Sequence, residues 1–142
     1  MRVTPQRLAV CSYMDGRRDH PTAQEVMAAL KPEYPSLSLT TVYDTLNSLV
    51  NGGAISRIGD VAGVGARYDG NPRPHVNVVC TTCGHVLDHD TPRAEEIQKE
   101  VEQSVGAPAR AGHVVFEVVC AHGSDPSTCP LRTRRSAREH DN

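Results

Sequence analysis

The chain has 142 residues, 23% of them charged, a formal net charge of −2, no Trp and a single Phe, Phe116. That length allows one ordinary domain or two small ones, and small cores this poor in aromatics need support from a metal or from self-association. The near-neutral charge excludes a wholly basic nucleic-acid binder, and there is neither an apolar run that could span a bilayer nor a signal-peptide core, which predicts a cytoplasmic protein with no membrane partner. Residues 1–70 carry seven Lys/Arg and seven Asp/Glu, and residues 71–142 carry eight and ten, so the first part can still present a basic face. Five Cys in such a chain read as metal ligands plus a spare rather than as disulfides.

In chain order, Thr4-Pro5 predicts a helix start, with Thr as N-cap and Pro at N1. Leu8, Cys11 and Val10 form its apolar face and Gly16 ends it; Cys11 reads as a small buried core residue. Thr22-Ala23-Gln24-Glu25 is a capping box for a second helix with Val26, Ala29 and Leu30 inward, stopped by Pro32. Ser38 caps a third helix, in which Val42, Leu46, Leu49 and Val50 fall at core spacing while Thr41, Tyr43, Asp44, Thr45 and Ser48 take the outer surface. Ala54–Ile58 and Ala66–Asp69 read as two short strands around the Gly-rich tip 59–65. Three short helices and a hairpin make a winged helix-turn-helix pattern over residues 1–70.

Asn71-Pro72-Arg73-Pro74 is the predicted linker. His75–Cys80 and His85–Asp90 read as strands, Pro92 opens a helix in which Ile97, Val101 and Val105 recur every fourth residue before Gly106, and Gly112 or His113 to Cys120 is a β-branched strand. Residues 75–131 therefore form a second, α/β domain. The charged segment 132–142 has no periodic apolar pattern and reads as a disordered tail.

The outer face of the third helix mixes hydroxyls with Tyr43, groups that can meet phosphates, base edges or thymine methyls; Arg17, Arg18, Arg57 and Arg67 would add backbone contacts. An ordinary amphipathic helix with a polar solvent side has the same pattern. Cys80-x-x-Cys83 is the usual half-site of a structural zinc, and a tetrahedral site needs two more ligands. Cys120 and Cys129 are available at a looser C-x8-C spacing, and His122 competes with them. A redox role for the pair is the weaker reading, because a thioredoxin-like site sits at a helix N-terminus and β-type sequence follows here. His75 and Asn77 lie two residues apart on a predicted strand and so share a side; with Asp88 they are nitrogen and oxygen donors suited to a harder metal. No nucleophile–base–oxyanion arrangement and no phosphate loop is legible, so no enzyme is predicted.

Thr4-Pro5-Gln6-Arg7, His20-Pro21-Thr22-Ala23, Ser38-x-x-Thr41-Val42-Tyr43-x-Thr45-Leu46, Arg67-Tyr68-Asp69 and the run from His75 to Asp88 together resemble the ferric uptake regulator (Fur) family of metal-responsive repressors, in family order over about residues 2–120. The resemblance implies an α+β protein with an N-terminal winged-helix DNA-binding domain and a C-terminal α/β dimerisation domain with a zinc knuckle at Cys80, Cys83, Cys120 and Cys129. It also implies a regulatory site for Fe2+ or Mn2+ at His20, Asp69, His75, Asn77 and Asp88, between the domains. Asp69 and Asp88 look like the peroxide-sensing (PerR) branch, and Asn77 stands where the family usually has a second His. Thr41, Tyr43, Arg17 and Arg57 take the DNA-contacting role. The implied function is a homodimeric, metal-dependent transcriptional repressor of a palindromic operator responding to peroxide, or, as the alternative, a regulator of Fe2+ or Mn2+ uptake without peroxide sensing. A further family metal position is absent, since Pro74 and Val76 cannot ligate beside Glu95 and His113. The helix that precedes Thr-Pro-Gln-Arg in the family is missing from this sequence.

Overall fold

Three hydroxyl caps start the first three helices. Thr4 Oγ1 accepts from the Arg7 amide at 3.2 Å and opens α1 (Pro5–Met14). Thr22 opens α2 (Ala23–Leu30) reciprocally: the Glu25 amide donates to Thr22 Oγ1, and the Thr22 amide donates to the Glu25 carboxylate. Ser38 Oγ accepts from the Thr41 amide at 3.1 Å and opens α3 (Leu39–Asn51). After α3 come β1 (Ser56–Ile58) and β2 (Arg67–Asp69), paired antiparallel with Arg57 opposite Tyr68. Val10, Met14, Ala23, Val26, Leu37, Val42, Leu46, Ile55 and Tyr68 close the core beneath them. This is a winged helix-turn-helix.

The computed structural model describes residues 2–60, 63, 65–109, 113–121 and 125–133. It divides into one unit of Met1–Gly59 with Gly65–Pro72 and a second of Asp60–Val64 with Arg73–Asn142. Val61, Ala62 and Val64 of the predicted wing tip, Gly112, His122 and residues 134–142 of the predicted tail lie outside the described residues.

Several predicted faces shift. On α1 the buried pair is Val10 and Met14, one turn apart; Leu8 is exposed and Cys11 only half-buried, because the inward stripe runs through 10 and 14 and leaves Cys11 at its rim. On α2 the stripe is Ala23, Val26 and Leu30, with Ala29 outside. Thr45 on α3 is buried rather than exposed; its hydroxyl donates to the Thr41 carbonyl at 2.8 Å, which satisfies it without water. The wing strands start two residues and one residue later than predicted.

The second unit is built on β3 (His75–Cys80), the central strand of a sheet in the order β4-β3-β5. β4 (Val86–His89) is antiparallel to it, one residue shorter at each end than the predicted His85–Asp90. α4 (Pro92–Val105) carries the chain over to β5 (His113–Val118), which pairs parallel with β3. α5 (Pro130–Thr133) follows, so Arg132 and Thr133 are helical rather than part of a tail. Ala94 is the buried residue of α4, and Ile97, Val101 and Val105 are exposed. Val115 and Phe116 of β5 are exposed as well. Among the described residues no helix is long and apolar enough to cross a membrane.

Candidate metal centres and nucleic-acid face

The knuckle is a tight turn at the end of β3. The Gly84 amide donates to the Cys80 carbonyl at 2.8 Å and the Cys80 amide to the His85 carbonyl at 2.9 Å. Gly84 takes φ +72°, a left-handed conformation that glycine adopts without a steric penalty. The turn is then fastened to the end of β5: the Thr81 amide donates to the Val118 carbonyl at 3.0 Å and the Thr82 hydroxyl to the Cys120 carbonyl at 3.3 Å. Cys120 is thereby delivered to the knuckle. Asp125-Pro126 starts a 3-10 turn, Pro126–Thr128, whose Ser127 amide donates to the Asp125 carboxylate at 3.0 Å; it folds the chain back so that Cys129 reaches Cys120, sulfur to sulfur 3.8 Å.

One sulfur each of Cys80, Cys120 and Cys129 lie within 4.8 Å of one another. Burial pushes the Cys120 thiol up to about 12, and the neighbouring Cys80 and Cys129 thiols add to the rise. Burial also raises the Cys129 thiol, with Cys80 and Cys83 beside it contributing in the same direction. Cys80 and Cys129 are fully buried, and Leu131 packs against them. A cluster of soft donors whose anions a divalent cation stabilises suits tetrahedral zinc.

Each unit also buries a His–Asp pair. In the first, His20 Nε2 lies 3.4 Å from Asp69 Oδ2, both side chains nearly inaccessible. His20 is the one non-glycine residue with positive φ (+53°) among the described residues. Its carbonyl accepts from Arg67 Nη1 at 3.0 Å, and the Tyr68 amide donates to the next carbonyl, that of Pro21, at 2.9 Å. Strain of this kind costs about 1 kcal/mol or more and persists where surrounding contacts over-determine it. Asp69 ends β2, and its Oδ1 accepts from the Asn71 amide at 2.8 Å. In the second unit, His75 Nδ1 is 2.6 Å from the Arg73 carbonyl and His75 Nε2 is 3.5 Å from Asp88 Oδ1. A carbonyl only accepts, so Nδ1 carries the proton, and in the neutral ring the Nε2 lone pair faces a carboxylate. Two facing acceptors need a proton or a cation between them, and nitrogen with carboxylate oxygen fits a divalent metal. Asn77 is directly across from Asp88 in the β3–β4 register and is also fully buried.

The DNA-contact candidates divide. Tyr43 on α3 is 36% exposed, and Arg57 projects outward from the middle of β1. Burial raises the Tyr68 phenol, the Arg57 charge opposes the rise and Tyr43 adds to it. Thr41 is half-buried and its hydroxyl meets the Ser38 cap at 3.0 Å. Arg17 is stacked 3.7 Å over the Tyr13 ring, donates to the Tyr13 carbonyl and hydroxyl, and pairs with Asp19 at 3.0 Å. Arg67 is committed to the His20 carbonyl and to Glu25.

Tyr68, within the matched stretch Arg67-Tyr68-Asp69, and Gly70 are structural partners of these groups to which the sequence assigns no role. A Cβ on Gly70 would lie 2.1 Å from the Met14 carbonyl oxygen and 2.7 Å from the Arg17 amide, so only glycine lets the chain leave Asp69 against the end of α1. The Asp69-Gly70 dipeptide after a strand was the available signal, and it reads as an ordinary turn.

The family model of the ferric uptake regulator family matches residues 1–116. The chain belongs to the ferric uptake regulator family. Among curated relatives, the peroxide-responsive repressor PerR of Staphylococcus aureus is 34% identical over 101 residues, covering 70% of this chain and 66% of that protein, slightly under two thirds of its length. Among solved structures, the Campylobacter jejuni peroxide stress regulator superposes with TM-score 0.66 at 36% identity, over 81% of this chain and 85% of that one. The Helicobacter pylori ferric uptake regulator shares the Fur fold at TM-score 0.64 and 24% identity, over 85% and 81% of the two chains.

Proposed function

We propose that this Fur-family chain is a homodimeric, metal-dependent repressor that binds a palindromic double-stranded DNA operator and is released by peroxide. The observation that carries the reading is the two buried His–Asp pairs, one per unit, with acceptor atoms 3.4 and 3.5 Å apart. In this reading His20 and Asp69 from one unit and His75, Asn77 and Asp88 from the other hold one Fe2+ or Mn2+, while Cys80, Cys83, Cys120 and Cys129 hold a structural Zn2+. An ion that needs ligands from both units rewards only the arrangement that brings them together, by its differential affinity for that state. In a two-fold dimer that arrangement sets the spacing of the two α3 helices, which must match major grooves about 34 Å apart. Tyr43, Thr41 and Arg57 then meet the operator, with Arg17 as a further contact.

Self-association is supported by the exposed Ile97, Val101 and Val105 along α4 and by Val115 and Phe116 on β5, the last strand in its sheet. The peroxide response is supported by the PerR-named relatives and by the Asp69/Asp88 combination. Bound ferrous iron supplies one-electron reduction of peroxide. The side chains of this chain open to oxidation beside it are the imidazoles of His20 and His75. Asn77 favours a second reading, control of metal uptake without peroxide sensing, because an amide replaces a third imidazole.

The test is operator binding by protein loaded with Fe2+ or with Mn2+, before and after peroxide, followed by mass spectrometry. The iron form should lose binding and gain an oxygen on His20 or His75, and the manganese form should keep binding. Unmodified His20 and His75 with earlier oxidation of Cys80 or Cys83 would leave uptake control as the better account. Tyr43→Ala should weaken operator binding without altering metal content.

A further inference from the structure

Asn77 is fully buried, and neither its Oδ1 nor its Nδ2 has a hydrogen-bond partner among the described residues. A buried amide left in that state costs stability on both atoms, whereas an apolar side chain of the same size would cost nothing comparable. Its surroundings say what it awaits. His75 is two residues earlier on β3 and shares its buried face, and Asp88 is its cross-strand partner. Cβ atoms so paired stand about 5 Å apart, within reach of a common small ligand. The His75 ring is already fixed by the Arg73 carbonyl, so the face presents one imidazole nitrogen, one carboxylate and one amide.

We propose that Asn77 is the metal-discriminating residue of this face: its carboxamide oxygen makes the donor set prefer Mn2+ and Fe2+ over Zn2+. The inference rests on the metal-dependent reading above and deepens it. Amide oxygen is a hard, uncharged donor. It supports metals that accept many oxygen ligands and adds little for zinc, which draws most from nitrogen and sulfur. An amide that ligates through Oδ1 turns Nδ2 the other way, and the Asp88 carboxylate across the strand is an acceptor on that face. One rotation about χ2 therefore serves both orphaned atoms. The same chain would then separate its metals by chemistry, with thiols taking zinc and this face refusing it.

The experiment uses full-length protein with its thiol cluster zinc-loaded, titrated with Mn2+ (followed by paramagnetic resonance of the free ion) and with Zn2+ (followed by a competing chromophoric chelator). Asn77→His should tighten Zn2+ more than Mn2+ and lower the Mn2+/Zn2+ affinity ratio by at least about tenfold. Asn77→Leu supplies a second readout. Metal-free with respect to the added ion, it should melt at or above the wild-type temperature, and it should lose the rise in melting temperature that Mn2+ gives the wild type. An unchanged affinity ratio in Asn77→His, or an intact Mn2+ shift in Asn77→Leu, overturns the proposal. If metal-dependent operator binding survives such a result, the repressor reading stands and only the role of Asn77 falls. If wild-type protein takes up no second divalent ion, both fall.

Discussion

The thiol cluster and the two His–Asp pairs are built to opposite plans. Cys80, Cys83, Cys120 and Cys129 all belong to the second unit and are gathered by its own hydrogen bonds, from the knuckle turn through Thr82 to the 3-10 turn before Cys129. The His–Asp pairs are divided, His20 and Asp69 on the first unit and His75 and Asp88 on the second. A cluster within one unit can hold that unit together and report little else. Under the proposed reading, an ion drawing on both pairs would stabilise only a particular arrangement of both units. The softness of the donors follows the same division, with sulfur in the cluster of one unit and oxygen with imidazole in the divided pairs.

The largest effect should come from breaking the thiol side. Cys129→Ser should lose the zinc, of which one per chain is expected, and destabilise the second unit by on the order of 5 kcal/mol. Elemental analysis with thermal melting checks this, and full zinc retention would point to His122 as the fourth ligand. Gly70→Ala attacks the other side without touching a ligand. The added methyl meets the Met14 carbonyl at 2.1 Å, so the first unit should lose roughly 2–3 kcal/mol while zinc content stays unchanged. His20→Asn is smaller still in stability. Asparagine tolerates left-handed φ better than histidine, so relief of strain offsets lost packing and the metal-free protein should stay within about 1 kcal/mol of wild type. Its melting temperature should nonetheless stop responding to Mn2+; a retained response would remove His20 from the ligand set.

The mildest test is pH. The Cys120 thiol, pushed up to about 12, holds its proton through the neutral range in the absence of metal. Zinc binding must displace such protons, so apparent zinc affinity should rise with pH and fall on acidification. The carboxylate and amide donors release no protons near neutrality and the His20 and His75 imidazoles at most one each, against up to four from the thiols, so Mn2+ affinity should change less over the same interval. Chelator competition at about pH 6 and about pH 8 compares the two slopes, and equal slopes would contradict the division.

Features written in a few adjacent residues were legible in the sequence. The Thr4, Thr22 and Ser38 caps and the knuckle turn depend on neighbours within five positions and are found as read. The inward face of α1 was misread because Leu8 and Cys11 are apolar too, and only the partner helices select Val10 and Met14. Strand periodicity placed His75 and Asn77 on one face, yet the orphaned state of the Asn77 amide depends on everything packed around it. The C-x8-C interval between Cys120 and Cys129 looked too loose for a second knuckle until the Asp125-Pro126 turn shortened it in space. The left-handed backbone of His20 leaves no trace in a single sequence, since histidine before proline reads as an extended loop residue.

The parallel pairing of β3 with β5 has a consequence for how the protein comes into being. The chain is made from its N-terminus, so the winged helix can form while the second unit is still being synthesised. The central strand β3 and the Cys80–Cys83 knuckle appear next, but half of the strand's partners and two of the four thiols follow only after α4. During that interval a bare dithiol is on display with no third sulfur beside it. Oxidants and stray soft metals meet their easiest target then, before Cys129 arrives to close the cluster. Ribosome-bound chains stopped between residues 83 and 120 should react with thiol reagents far faster than the finished protein.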